Sequence, residues 1–163
     1  MNFVLASKHA VGLGRTPNDW EDLTKAKAII LIGSNITETN PLTAVRIKEA
    51  LRVYKAQVVT LDSAITNMAK LASHPFLIKP GTEGAVIDGL VKAAIDRDFV
   101  DEETVGKHPH AFEALKSAVA DVSLERLAAQ TGLSVEAFRA IVAIFAESPR
   151  SIILCAGGIV RRA

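Results

Sequence analysis

The stretch AKAIILIGSN, Ala26 to Asn35, decides the fold of this sequence. From Ala28 to Ile32 every residue is apolar, and Gly33 ends the run. A half-exposed strand alternates apolar and polar residues, whereas an unbroken β-branched run is how a strand buried on both faces reads. Downstream, Pro41 opens a helical pattern, and its missing N–H costs little in a first helical turn. Leu42, Val45, Ile47, Ala50, Leu51 and Tyr54 are expected on its apolar side, with Arg46, Lys48, Glu49 and Arg52 elsewhere. QVVTLD then gives a second buried strand, Gln57–Leu61, ending at Asp62. Strand, helix and strand in this order predict a parallel βαβ unit, which is right-handed almost without exception.

Further out, a short helix is expected over Ile65–Leu71 and a third strand over Phe76–Lys79, broken by Pro80–Gly81–Thr82. Thr82 is expected to cap the helix Glu83–Asp96, whose buried stripe reads Val86, Ile87, Leu90, Val91, Ala94 and Ile95. Helices follow over Pro109–Ala120, Ser123–Gln130 and Ser134–Glu147, with Ser123 and Ser134 as caps and Gly132 at a C-terminus. SIILCAGG repeats the logic of the first strand. Upstream, Phe3–Leu5 reads as a short strand, and Asn18 or Asp19 as the cap of a helix over Trp20–Ala26. The expectation is one α/β domain over 1–163, Rossmann-like and three-layered, with a mainly parallel sheet. The chain stops at RRA directly after a strand and a double glycine, so it reads as a fragment of a longer protein.

Composition agrees. With 49% apolar residues but 5% aromatic ones, the core must be built from Ala, Val, Ile and Leu. A net charge of +1 without a long basic run argues against nucleic acid and anionic lipid as partners. The lone Cys155 supports neither a disulfide within the chain nor a metal–thiolate cluster, and in its apolar run it reads as a buried core thiol. No signal peptide or transmembrane stretch is legible, so the expected setting is cytoplasmic.

Open α/β sheets bind ligands beyond the carboxyl ends of their strands. Three segments fall there. Gly33–Ser34–Asn35 allows close backbone approach, and the helix at Pro41 is expected to offer free N–H groups to a phosphate, worth roughly 0.3–1 kcal/mol when exposed. The segment is not GxGxxG, so the usual NAD fingerprint is absent. A plain strand-to-helix loop with local caps fits it as well. Asp62 suits a ribose or the N–H groups of a base, although it stands farther from Gly33 than the roughly twenty residues usual in such folds; an Asx-turn or helix cap explains it equally. Glu83, after Pro80–Gly81–Thr82, either meets a ligand or merely balances the helix dipole. No catalytic constellation stands out: His9, His74, His108 and His110 are scattered, and Ser34 has no partners suggesting a triad.

In order, AIILIGSNITETNP, QVVTLDSAIT and FLIKPGTEGAVIDGLV resemble the molybdopterin oxidoreductase superfamily. Its members read as a strand ending G-S-N with a nearby H-P or N-P, a second strand ending D-P-R, and P-G-T-D before a helix. The resemblance runs from about Lys25 to Glu147. It implies a formate dehydrogenase-like dinucleotide domain that grips the guanine end of a molybdopterin guanine dinucleotide. Gly33, Ser34 and Asn35 would line the pyrophosphate or ribose, Asp62 and Glu83 would face guanine or ribose, and Gly81 and Thr82 would shape the same turn. Two motifs depart from the pattern. Ser63–Ala64 follow Asp62 in place of Pro–Arg, and Glu83 replaces the aspartate. Such erosion points to a scaffold of the NADH-quinone oxidoreductase (respiratory complex I) G-subunit type. That reading implies iron–sulfur clusters elsewhere in the full chain, other domains and subunits of an electron-transport complex as partners, and a peripheral place on the cytoplasmic membrane face. The alternative is the cofactor-binding domain of a catalytic enzyme such as formate dehydrogenase. A weaker one, cued by SPRSIILCAGGI, is the central domain of a thiamine diphosphate enzyme.

Overall fold

The computed structural model describes residues 20–107 and 109–155. The expected strand at Phe3–Leu5, the double glycine Gly157–Gly158, His9 and His108 lie outside these residues. The chain divides into two compact units, one running to Leu77 and resuming at Ser148, the other Ile78–Glu147.

The first unit carries α1 (Trp20–Lys25), β1 (Ala28–Ile32), α2 (Ile36–Thr39), α3 (Pro41–Arg52), β2 (Gln57–Asp62), β3 (His74–Leu77) and β4 (Ser151–Cys155). The four strands form one sheet of order β3-β2-β1-β4, and every pairing is parallel. This is the α/β architecture expected from the sequence. All five residues of β1 are buried, as their unbroken apolar run requires. One face of the sheet, through Ile29, Leu31, Val58 and Ile152, packs with Leu23 of α1, Ala44, Ile47 and Ala50 of α3, and Met68. Thr60 is buried in the middle of β2, and its hydroxyl has no hydrogen-bond partner.

Several expectations change in this unit. Leu42, Val45 and Tyr54 are exposed, Leu42 by 71%. Burial at Thr43, Ala44, Ile47 and Ala50 follows the 3.6-residue period, which turns Leu42 and Val45 outward with Arg46 and Glu49. Ile65–Leu71 is a set of turns rather than a helix. Its i→i−4 bonds, Lys70 N–H to Thr66 O and Ala72 N–H to Met68 O, do not propagate, as the cost of helix nucleation leads one to expect in so short a segment. Cys155 is exposed at the end of the outer strand β4. Its thiol still lies against enough protein for desolvation to push its pKa up.

The second unit is helical: α4 (Glu83–Asp96), α5 (Glu102–Lys107), α6 (Pro109–Ala120), α7 (Leu124–Thr131) and α8 (Val135–Ala146). Ser123 and Ser134 cap α7 and α8, accepting from the N–H groups of Arg126 and Ala137. Gly132 ends α7 at φ 85°, as a left-handed C-terminal glycine should. The buried line of α4 is Val86, Gly89 and Ala93; of the stripe expected there only Val86 is fully buried. The stripe is rotated because the Phe138 ring of α8 lies against Gly89, where an added Cβ would have three ring carbons within 3.0 Å. No single helix among the described residues is long and apolar enough to cross a membrane; α7 and α8 pass that test only as a pair, bent by 100°.

Candidate functional site

Gly33 follows β1 at φ 58°, a left-handed conformation that favours glycine. Its N–H donates to Leu61 O at 2.8 Å, fixing the turn to the end of β2. Ser34 next to it is buried. Asn35 starts α2: its carbonyl accepts from the N–H groups of Glu38 and Thr39, and its side-chain oxygen accepts from the Thr37 hydroxyl at 3.0 Å. That side chain caps no helical amide. The next helix differs from expectation. Asn40 Oδ1 accepts from Thr43 N–H at 3.2 Å and Pro41 occupies the first turn, so the start of α3 is capped by the chain itself. The free N–H groups expected after Pro41 are reduced by that cap.

Asp62 is the last residue of β2 and is half-buried. Its Oδ1 accepts from Ala64 N–H at 3.3 Å, which forms the Asx-turn. Both β1 and β2 therefore end in turns that place polar groups at the carboxyl edge of the sheet, where such folds hold ligands.

In the second unit Gly81 stands at φ 81°, giving the tight turn expected after Pro80. Thr82 precedes α4 but does not cap it with its side chain. Its hydroxyl instead donates to Lys79 O at 2.6 Å, and its N–H to the same carbonyl at 3.3 Å. The first turn of α4, with Glu83 in it, is thus left without a side-chain cap. From sequence alone Lys79 is only the end of a strand. It donates Nζ to Ala129 O at 2.7 Å and N–H to Thr131 O at 2.8 Å. No periodic signal marks such a residue; its only cue is a lysine between an apolar strand and Pro–Gly.

Gly33, Ser34, Asn35 and Asp62 belong to the first unit, and Gly81, Thr82 and Glu83 to the second. Among the described residues no group of His, Cys, Asp or Glu is arranged to hold a metal ion. His74 pairs with Gln57 at 3.1 Å. Within the first unit by itself, a hydroxyl, an amide and a carboxylate at turns where Gly33 permits close backbone approach are of the kind that a nucleotide-type group requires.

An all-parallel sheet with polar turns beyond its strand ends defines a Rossmann-like α/β protein. The chain belongs to the molybdopterin oxidoreductase family, which it matches over residues 6–163. It is 32% identical to the assimilatory nitrate reductase catalytic subunit of Bacillus subtilis over 87% of this chain and 20% of that protein. It is 33% identical to a nitrate reductase of Shewanella frigidimarina over 81% of this chain and 14% of the relative. The F420-dependent formate dehydrogenase subunit alpha of Methanocaldococcus jannaschii is 31% identical over 90% of this chain and 22% of its own length. Acetylene hydratase from Pelobacter acetylenicus shares the fold at a TM-score of 0.72 and 25% identity, over 80% of this chain and 18% of that one. The chain thus spans about a fifth or less of the length of each. The family match sets aside the thiamine diphosphate alternative. The nitrate reductase and formate dehydrogenase names weigh against the complex I subunit expected from the altered motifs and favour the catalytic-enzyme alternative.

Proposed function

We propose that this chain is a cofactor-holding region of a catalytic molybdopterin oxidoreductase of the nitrate reductase or formate dehydrogenase type. The observation that carries the reading is the 32% identity to a nitrate reductase catalytic subunit over 87% of the chain, a span that includes most of the strands and turns described above. Gly33, Ser34 and Asn35 would bind the pyrophosphate or ribose of a molybdopterin guanine dinucleotide, and Asp62 and Glu83 would accept hydrogen bonds from ribose or guanine. Gly81 and Thr82 would shape the turn that presents Glu83. The bound group would supply metal-centred oxidation and reduction; the residues of this chain would hold and orient it. The left-handed glycines at 33 and 81 support this role, since neither carries a Cβ that would hold a ligand away from the backbone of its turn.

Metal analysis of the full-length protein, with nucleotide analysis after denaturation, tests the reading. The expected result is stoichiometric molybdenum or tungsten together with a guanine nucleotide. Protein holding iron–sulfur clusters but neither of these would return the chain to the complex I scaffold.

A further inference from the structure

We infer that Lys79 is a positioning residue that presents the Gly81–Glu83 turn to the cofactor. The inference rests on the function proposed above. Two elements meet at this one lysine. Towards α7, its Nζ donates to Ala129 O at 2.7 Å and its backbone N–H to Thr131 O at 2.8 Å. These are two of the last four carbonyls of α7, which have no partner within the helix. Gly132 N–H takes Ala128 O at 2.9 Å. The ammonium also sits at the negative end of the α7 dipole, where a cation is favoured. Its aliphatic stem runs past Gly132, close enough that an added Cβ would lie 3.6 Å from Lys79 Cγ.

Towards α4, the carbonyl of the same residue receives both the hydroxyl and the N–H of Thr82. This second half has a chemical consequence. A threonine before a helix ordinarily turns its oxygen on the first free amides and closes them. Here the hydroxyl proton is committed to Lys79 O, and no side-chain cap closes the start of α4. The clamp both fixes the turn to a rigid helix end and leaves amides beside Glu83 open to an acceptor on a ligand. Side-chain bonds from a charged donor to a carbonyl are stronger than neutral ones, even though Lys79 itself is exposed.

The test uses the full-length protein as wild type, K79M and K79R. Methionine keeps the stem and removes the donor, and arginine restores a charged donor. Two quantities are read: hydrogen exchange of the Thr82 to Val86 amides, and the rate at which guanine nucleotide leaves the native protein. K79M should raise both, by about tenfold for the loss of one charge-assisted bond, and K79R should return both towards wild type. A merely structural role would lower the melting temperature without rescue of the release rate by arginine. Wild-type protein that yields no guanine nucleotide overturns the function on which the inference rests. Wild-type protein that yields it, with K79M releasing it at the wild-type rate, overturns the role of Lys79 alone.

Discussion

Gly89 shows how much a single missing carbon decides in the helical unit. It lies on the buried line of α4, and Phe138 of α8 is fully buried against it. Alanine in a helix interior is normally favoured over glycine by about 1 kcal/mol. At this position the new Cβ would have to displace an aromatic ring, and overpacking of that kind costs about 1–3 kcal/mol. Gly89→Ala should therefore lower stability in chemical denaturation, and G89A combined with F138L should recover part of the loss. An alanine variant more stable than wild type would show that the ring moves freely. The sequence does not disclose this contact. A glycine inside a helical pattern reads as a weak point, and only the approach of Phe138 shows it to be a packing requirement. Asp62 is different: its sequence position allows a ligand contact and an Asx-turn equally, and the bond from Ala64 N–H to one of its oxygens shows that the Asx-turn forms.

Elements built from continuous apolar runs or clear caps were legible to the residue. β1, α4 and α6 begin and end where periodicity places them, and both serine caps form. Elements whose limits depend on a neighbour were not. β3 lies at His74–Leu77, two residues before its expected place, because its register against β2 stops where β2 stops, at Asp62 opposite Leu77. Beyond it Lys79 is already committed to α7. The short helices α2 and α5 were missed, being too brief to show a period. At this scale Ser123 makes a prediction. Its oxygen accepts from Arg126 N–H, and its hydroxyl donates to Glu125 at 2.7 Å, which holds that carboxyl below its ordinary value of 4.5. A depressed carboxyl contributes stability above its unfolded pKa and loses it as pH falls through the folded one. Ser123→Ala should cost about 1 kcal/mol at neutral pH through the lost cap. It should also raise the Glu125 pKa in an NMR titration, so the deficit narrows in acid. An unchanged titration would show that the hydroxyl does not serve the carboxylate.

At the scale of the molecule, the second unit is one continuous segment and the first is assembled from two. β1 is hydrogen-bonded on one side to β2, which follows it closely, and on the other to β4, which lies beyond the whole of the second unit. The entry of β4 is tied down as well, since Arg150 O accepts from the N–H groups of Lys27 and Ala28. Pairings so distant in sequence form slowly, because the loop must close before the contact rewards it. In refolding followed by hydrogen exchange, amides of α4, α7 and α8 should gain protection before those of β4. Simultaneous protection would show that the two units fold as one.

The parallel β1–β4 pairing also imposes an order on synthesis. A ribosome delivers β1, β2 and β3 early, yet the strand that flanks β1 on its open side emerges only after all five helices of the second unit. During that interval Ile29 to Ile32, among the most apolar residues of the chain, wait beside an unfilled edge. Until β4 pairs, that edge of β1 stays open to mispairing, and a chaperone that binds apolar strands would find a target in the stretch from Ala28 to Ile32.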